Sequence, residues 1–114
     1  MATIASDKNG TNTTVAHVAK WVGLAANDDG QAVACAQYTD KSVQVSGIFG
    51  GASLVFEGSN NGIDWATLTD PQGNALSFTS AKIELVSEAT HYARPKVTGG
   101  DGTTNLSVYV LMKE

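Results

Sequence analysis

The chain contains few side chains that could act as a nucleophile, a general base or a metal ligand. Its two histidines, His17 and His91, are far apart, and no short motif links either of them to a nucleophile or a ligand set. Cys35 lies between Ala34 and Ala36 in an apolar run without a neighbouring cation, so a buried, unreactive thiol is favoured. Because it is the only cysteine, it cannot form an intramolecular disulfide, and the chain can mature in a reducing cytoplasm.

Carboxylates and glycines cluster at three places, none of which predicts a reaction. Residues 28–30, Asp-Asp-Gly, lack the acidic ladder and closing glutamate of a calcium loop, which favours a solvated turn. Glu57 and Asp64 flank a predicted hairpin and could face each other like a glycosidase acid pair, but so short a turn favours both in solvent. The glycine-rich residues 99–102 precede a strand, whereas a phosphate loop needs a helix start. We therefore expect no enzymatic activity, no cofactor and no metal.

The size and charge of the chain exclude further classes. Its 114 residues suffice for one domain with its own core. The formal net charge of −4, with Arg94 as the only arginine, is opposite to the balance of a nucleic-acid-binding protein. No run of 18 apolar residues occurs, and the start lacks a basic region followed by an apolar run. We expect neither a membrane span nor a signal peptide.

The elements that must position these residues are predicted to be strands. Apolar and polar residues alternate along residues 42–49, 53–58 and 106–112, and turn-forming residues separate these runs. Asn-Gly within residues 59–62 is a strong hairpin signal. The pattern predicts an all-β fold of about eight strands, a two-sheet sandwich or jelly roll over residues 14–114. Residues 1–13 are polar and predict a flexible N-terminal arm.

Three segments carry more specific expectations. Apolar residues of both parities along residues 14–25 predict a strand buried on both sides, and residues 32–38 predict a strand. Residues 80–90 favour a strand, with a short helix as the alternative because apolar residues also recur at spacings of three and four. The predicted core contains Val45, Leu54, Phe56, Trp65, Phe78, Val108 and Val110.

Five segments together resemble small virion proteins of tailed bacteriophages, in particular capsid decoration (cement) proteins with a jelly-roll fold. They read SVQVSGIFGGA, FEGSNNGIDW, TDPQGNAL, YARPKV and TGGDGTT, and the likeness extends over residues 42–112. The resemblance implies a non-enzymatic protein, made in the host bacterial cytoplasm, that binds the outside of an assembled capsid and clamps neighbouring subunits of the major capsid protein. It also implies a homo-oligomer on the shell, a dimer or trimer. The charge balance and the lack of a long apolar run predict no nucleic-acid or membrane partner.

The alternative from another class is a carbohydrate-binding module of a phage tail or capsid. In that case Trp65 or Tyr92 would be the stacking platform, whereas Trp65 as a core anchor is the more favoured role. Aromatic exposure distinguishes the two functions, since a sugar site needs an exposed ring with polar neighbours. The candidate contact residues for a partner or ligand are Gly50, Gly51, Asn60, Asn61, Trp65 and Tyr92.

Overall fold

The structure, a computed structural model, describes residues 3–4, 7–8 and 16–114. These residues form strands, turns and loops, which confirms the all-β prediction. Within these ranges no helix is long and apolar enough to cross a membrane. In chain order the strands are β1 (Thr3–Ile4), β2 (Asp7–Lys8), β3 (Ala16–Leu24), β4 (Asp29–Gly30), β5 (Val33–Ala34), β6 (Asp40–Ile48), β7 (Ser53–Ser59), β8 (Ala66–Thr67), β9 (Ser77–Phe78), β10 (Lys82–Val86), β11 (Tyr92–Thr98) and β12 (Asn105–Lys113).

The strands of the described residues form two facing sheets, as predicted for a sandwich. The first sheet has seven strands in the order β1-β4-β11-β7-β8, with β5 beside β11 and β9 beside β7. The second has five strands in the order β10-β6-β12-β3-β2. More strands form than the eight expected, because several contain only two residues, too few for alternation to reveal them.

The core lies between the inner faces of the two sheets. In β12 every second residue is buried, as the alternation of this run predicts. Fully or nearly fully buried side chains from both sheets meet there, among them Val43, Val45, Leu54, Phe56, Phe78, Val97, Leu106, Val108, Val110 and Met112. The prediction is thus confirmed for Val45, Leu54, Phe56, Phe78, Val108 and Val110.

Strand β3 is buried on one side only, so the expectation of burial on both sides is wrong. Trp21 and Leu24 are buried, whereas Val22 is 54% exposed. Gly23 has a φ of 80°, and the pairing of β3 with β12 shifts register at this point. This bulge turns Leu24 back toward the core. The second set of apolar residues in β3 therefore lies on the outer surface of the second sheet.

Trp21, rather than Trp65, is the tryptophan of the core. Its indole Nε1 donates a hydrogen bond of 3.0 Å to the carbonyl oxygen of Gln31, so the polar atom of the buried ring has a partner. A Cβ at Gly30 would lie 2.5 Å from ring carbons of Pro95 and 3.0 Å from Trp21. Only glycine lets β4 approach both rings this closely.

Trp65 is half-buried, and its placement in the predicted core is wrong. The pairing of β7 with β8 sets Glu57 opposite Thr67, and β11 sets Arg94 opposite Glu57. The guanidinium carbon of Arg94 lies 4.2 Å from the centre of the Trp65 ring. Trp65 thus packs on a charged side chain rather than in the apolar interior.

The remaining expectations have different outcomes. The segment 80–90 contains strand β10 and no helix, so the favoured alternative is confirmed. The strand predicted over residues 32–38 is shorter in the structure and consists only of β5, because the amide of Tyr38 bonds to the carbonyl of Cys35 and closes a turn.

Most of the arm predicted over residues 1–13 lies outside the described residues. The parts within them are β1, which pairs with β4, and β2, which pairs with β3.

Replacing the two tryptophans by alanine should separate their roles. We expect Trp21→Ala to lower the free energy of unfolding by about 3–5 kcal/mol, because it leaves a cavity in the core. Trp65→Ala should cost about 1 kcal/mol, the range of a solvated cation–π contact. Urea unfolding followed by circular dichroism measures both losses, and equal losses would contradict this assignment.

Candidate functional site

The loop between β7 and β8 is held by its own side chains. The Ser59 hydroxyl oxygen accepts hydrogen bonds from the amides of Asn61 at 3.3 Å and Gly62 at 2.9 Å. The Asn61 side-chain oxygen accepts from the amides of Ile63 and Asp64, each at 2.9 Å. The Asn61 side-chain nitrogen donates to the Asp64 carboxylate at 3.0 Å. The side-chain polar atoms of Asn61, a predicted contact residue, therefore form hydrogen bonds that fix this loop.

The same loop is docked onto the start of β11. Asn60 accepts a hydrogen bond of 3.0 Å from the amide of His91 through its side-chain oxygen. A Cβ at Gly62, where φ is 75°, would lie 3.5 Å from the Tyr92 ring, so the loop backbone passes over that ring. The His91 and Tyr92 rings lie 4.3 Å apart between centres. Asn60, Asn61 and Tyr92 thus lie close together at one end of the first sheet.

Trp65, Arg94 and Glu57 form a chain of contacts on the outer face of the first sheet. Arg94 lies over the Trp65 ring and donates from Nε to a Glu57 carboxylate oxygen at 3.1 Å. The Arg94 and Glu57 side chains are 21% and 14% exposed, so the ion pair is partly shielded from solvent. A planar guanidinium can serve both partners at once, which an ammonium group cannot do as well.

Glu57 and Asp64, the carboxylates singled out on either side of the hairpin, have separate partners. Glu57 is bound to Arg94 and Asp64 to Asn61. The turn at residues 28–30 is less solvated than predicted, because Asp28 and Asp29 are buried. Asp28 accepts a hydrogen bond of 2.8 Å from the amide of Ala25.

Gly50 and Gly51 lie at the other end of β7, away from the remaining predicted contact residues. A Cβ at Gly50 would come within 2.8 Å of side-chain oxygens of Asp101, Thr103 and Thr104, so this glycine is packed against a loop of its own chain. Hydrogen bonds from Thr103 lower the pKa of Asp101 below its ordinary value. Gly51 has no atom within 4 Å of such a Cβ and stays open. The six predicted contact residues therefore form two separate groups.

A surface that sequence reasoning missed covers the outer side of the second sheet. We call it the exposed face and define it by Val22, Ile83, Leu85 and Leu111, which are 54%, 61%, 59% and 39% exposed. A cleft of about 530 Å³ opens beside it, between Leu85, Leu111 and Pro71. The sequence does contain a signal for this surface, because β10 has apolar residues at both parities. A strand with one buried face needs apolar residues at only one parity.

His17 and Cys35 make contacts within the chain, whereas His91 is exposed. The half-buried His17 ring packs edge-on against Tyr38 with centres 5.4 Å apart. Cys35 is buried, its thiol donates to the carbonyl oxygen of Thr90 at 3.3 Å, and burial raises the pKa of the thiol while Lys41 opposes this. A raised pKa keeps the less nucleophilic thiol form, as the sequence predicts for an unreactive cysteine.

Glu88 ties the segment after β10 to the segment after β8. Its carboxylate oxygens accept hydrogen bonds from the amide of Thr69 at 2.8 Å and from the Thr69 hydroxyl at 2.5 Å. Burial raises the pKa of Glu88, but the hydrogen bonds from Thr69 outweigh this effect and bring it below 4.5.

No family model and no curated protein matches the chain. Among solved structures, the crystal structure of SPBc2 prophage-derived protein YomS matches with a TM-score of 0.69 at 11% identity, covering 92% of this chain and 100% of that chain. Protein NMB1881 from Neisseria meningitidis matches with a TM-score of 0.47 at 12% identity, covering 96% and 83% of the two chains. At these identities the first match shows a shared fold, and the second is too distant to carry an argument.

Acidification should remove the contribution of Glu88 to stability. Because its pKa is lowered in the folded state, this contribution is complete above the unfolded-state pKa and is lost as the pH falls through the folded-state pKa. We expect Glu88→Gln to cost about 1 kcal/mol at neutral pH and nearly nothing well below pH 4.5. Urea unfolding at both pH values measures this, with Glu114→Gln at the exposed chain end as the control. A cost that does not change with pH would contradict the assignment.

Proposed function

We propose that this chain is a non-enzymatic structural protein of a bacteriophage virion, which binds the outside of the assembled capsid through its exposed face. The observation that carries this proposal is the exposed face itself, whose four large apolar side chains lie on one side of one sheet. Large apolar side chains that are exposed on one face of a folded domain mark a candidate site of interaction with another macromolecule.

The fold supports a phage context for this surface. The match to the prophage-derived protein covers 92% of this chain and 100% of that chain, so the two share the sandwich fold. The resemblance of residues 42–112 to capsid decoration proteins agrees with that context. We therefore take the major capsid protein as the partner of the exposed face, and the virion exterior as the location of the protein.

Bridging of neighbouring capsid subunits would explain how a small domain stabilises a shell. A second contact on the same lattice forms at high effective concentration, so avidity can exceed single-site affinity by about 10²–10⁴. A protein that binds only the assembled lattice also stabilises it by mass action. The physical role proposed here is thus a clamp between capsid subunits.

Charge placed on the exposed face should abolish capsid binding. We expect Val22→Lys combined with Leu111→Lys to weaken binding to stripped capsids about 100-fold, because each buried apolar side chain contributes about 1.5–3 kcal/mol. The matched control is Thr67→Lys with Ser77→Lys, the same charge change at exposed positions of the first sheet. Sedimentation of capsids with each variant measures occupancy, and equal weakening by both pairs would contradict the proposed face.

A second candidate function, glycan binding at Trp65, is favoured by one observation. Trp65 is half-buried beside Arg94 and Glu57 instead of lying in the core. A partly exposed ring with charged hydrogen-bonding neighbours is the arrangement that a sugar-stacking platform needs. Arg94 covers part of this ring, which leaves less of it for a ligand than an uncovered platform would offer.

An array of bacterial surface oligosaccharides tests this second function. If Trp65 is a platform, the wild-type protein binds a specific glycan, and Trp65→Ala loses that binding while the domain stays folded and loses only about 1 kcal/mol of stability. Tyr109→Ala, which removes a half-buried aromatic ring from the other sheet, is the matched control and should keep binding. Absence of any glycan signal for the wild type would eliminate this candidate.

A further inference from the structure

Strand β10 is an end strand of the second sheet. It pairs with β6 on one side, and within the described residues no strand pairs with its other side. The amide of Ser87 donates a hydrogen bond of 2.8 Å to the carbonyl oxygen of Thr69, which occupies the chain directly after β10. The open edge therefore ends before Ser87, and Pro71 and Gln72 line a small cavity beside Ile83, Glu84 and Leu85. Such an edge presents backbone donors and acceptors to any further strand.

The side chains of β10 divide into an apolar and a charged set. Ile83 and Leu85 belong to the exposed face. Lys82 and Glu84 lie on the other face of the sheet, where they pair with Val45 and Val43 of β6. The Lys82 ammonium nitrogen lies 3.5 Å from a Glu84 carboxylate oxygen. One positive and one negative charge thus stand two residues apart on one face of an open edge.

We propose that β10 pairs with β10 of a second copy of this chain, antiparallel about a two-fold axis at Ile83. In this register Lys82 of each copy lies opposite Glu84 of the other, so two opposite-charge pairs form across the axis. Ile83 lies opposite Ile83 of the second copy, and Leu85 lies opposite Ala81. A two-fold axis makes every such contact occur twice, which is how isologous interfaces are built.

Neighbouring symmetric registers are unfavourable for reasons of charge or of space. An axis at Lys82 sets the Lys82 side chains of the two copies opposite each other, and an axis at Glu84 sets the two Glu84 side chains opposite each other. Each of these like-charge pairs is repulsive. An axis at Leu85 sets Lys82 opposite Glu88, beyond the point where Ser87 is bound to Thr69. The pattern of charges is therefore complementary to itself in the register about Ile83, which favours a second copy over an unrelated partner strand.

This pairing joins the second sheets of the two copies into one continuous sheet. Ile83 and Leu85, 61% and 59% exposed in the single chain, then continue from one copy into the other on the same outer surface. The inference concerns the protein in solution and does not rest on capsid binding, so its test contains no capsid.

Charge reversal and its compensation test the register. Analytical ultracentrifugation of the wild type should show a dimer, and Lys82→Glu or Glu84→Lys should each weaken it about tenfold or more, because like charges then meet twice. Combining both substitutions restores opposite charges and should restore the dimer. Lys113→Glu, the same change at an exposed position outside the edge, is the control and should leave the dimer intact. A monomeric wild type, or failure of the double variant to recover, would overturn the proposal.

Cross-linking tests the axis directly. Residues opposite each other on paired strands have Cβ atoms about 4.5–5.5 Å apart, near the separation that a disulfide bridges. Under mild oxidation Ile83→Cys should give a covalent dimer, whereas Ala81→Cys, which faces Leu85 of the second copy, should not. Cross-linking of both variants to the same extent, or of neither, would refute an axis at Ile83.

Discussion

The pairing of β12 with strands on both of its sides is the constraint on which the rest of the sandwich depends. Nine residues of β12 pair with β6, and eight of them also pair with β3. Once this register is set, Leu106, Val108, Val110 and Met112 point inward together. A slip of one residue would expose all four, so the hydrophobic core and the register enforce each other. The outward set, which includes Leu111, then necessarily becomes the outer surface of the sheet.

The sequence was sufficient where one face of a strand is apolar and the other polar. Residues 42–49, 53–58 and 106–112 follow that rule, and their strands and buried residues were predicted correctly. The rule was wrong for β3, whose apolar residues occur at both parities, because periodicity cannot distinguish a strand buried on two sides from one with an exposed apolar face. The exposure of Val22 and Leu85 was therefore not predicted.

The two tryptophans show the same limit at single residues. Both are large aromatic residues in strand-forming segments, and composition alone makes either a candidate for the core. What separates them is tertiary: Trp21 faces the other sheet beside Gly30, whereas Trp65 follows a loop closed by Ser59 and Asn61 and meets Arg94. Long-range partners such as Gln31 for the indole nitrogen, or Glu57 for Arg94, are not encoded in local spacing. The loop itself was recognisable, because Asn and Gly favour turns whatever surrounds them.

The open edge and the exposed face are physically connected, because β10 is an end strand and its Ile83 and Leu85 also belong to the exposed face. An exposed apolar face invites association, and an open edge invites it in any register that backbone bonding allows. Lys82 and Glu84 restrict that freedom, since their charges favour one symmetric register and oppose its neighbours. A dimer formed in that register presents two exposed faces in a fixed relation. Two linked faces bind a repetitive lattice more strongly than one, since the second contact no longer costs free association. The pairing of copies and the binding of a shell would therefore reinforce each other, since the first uses the edge of β10 and the second uses the outer side of the same sheet, with Ile83 and Leu85 taking part in both.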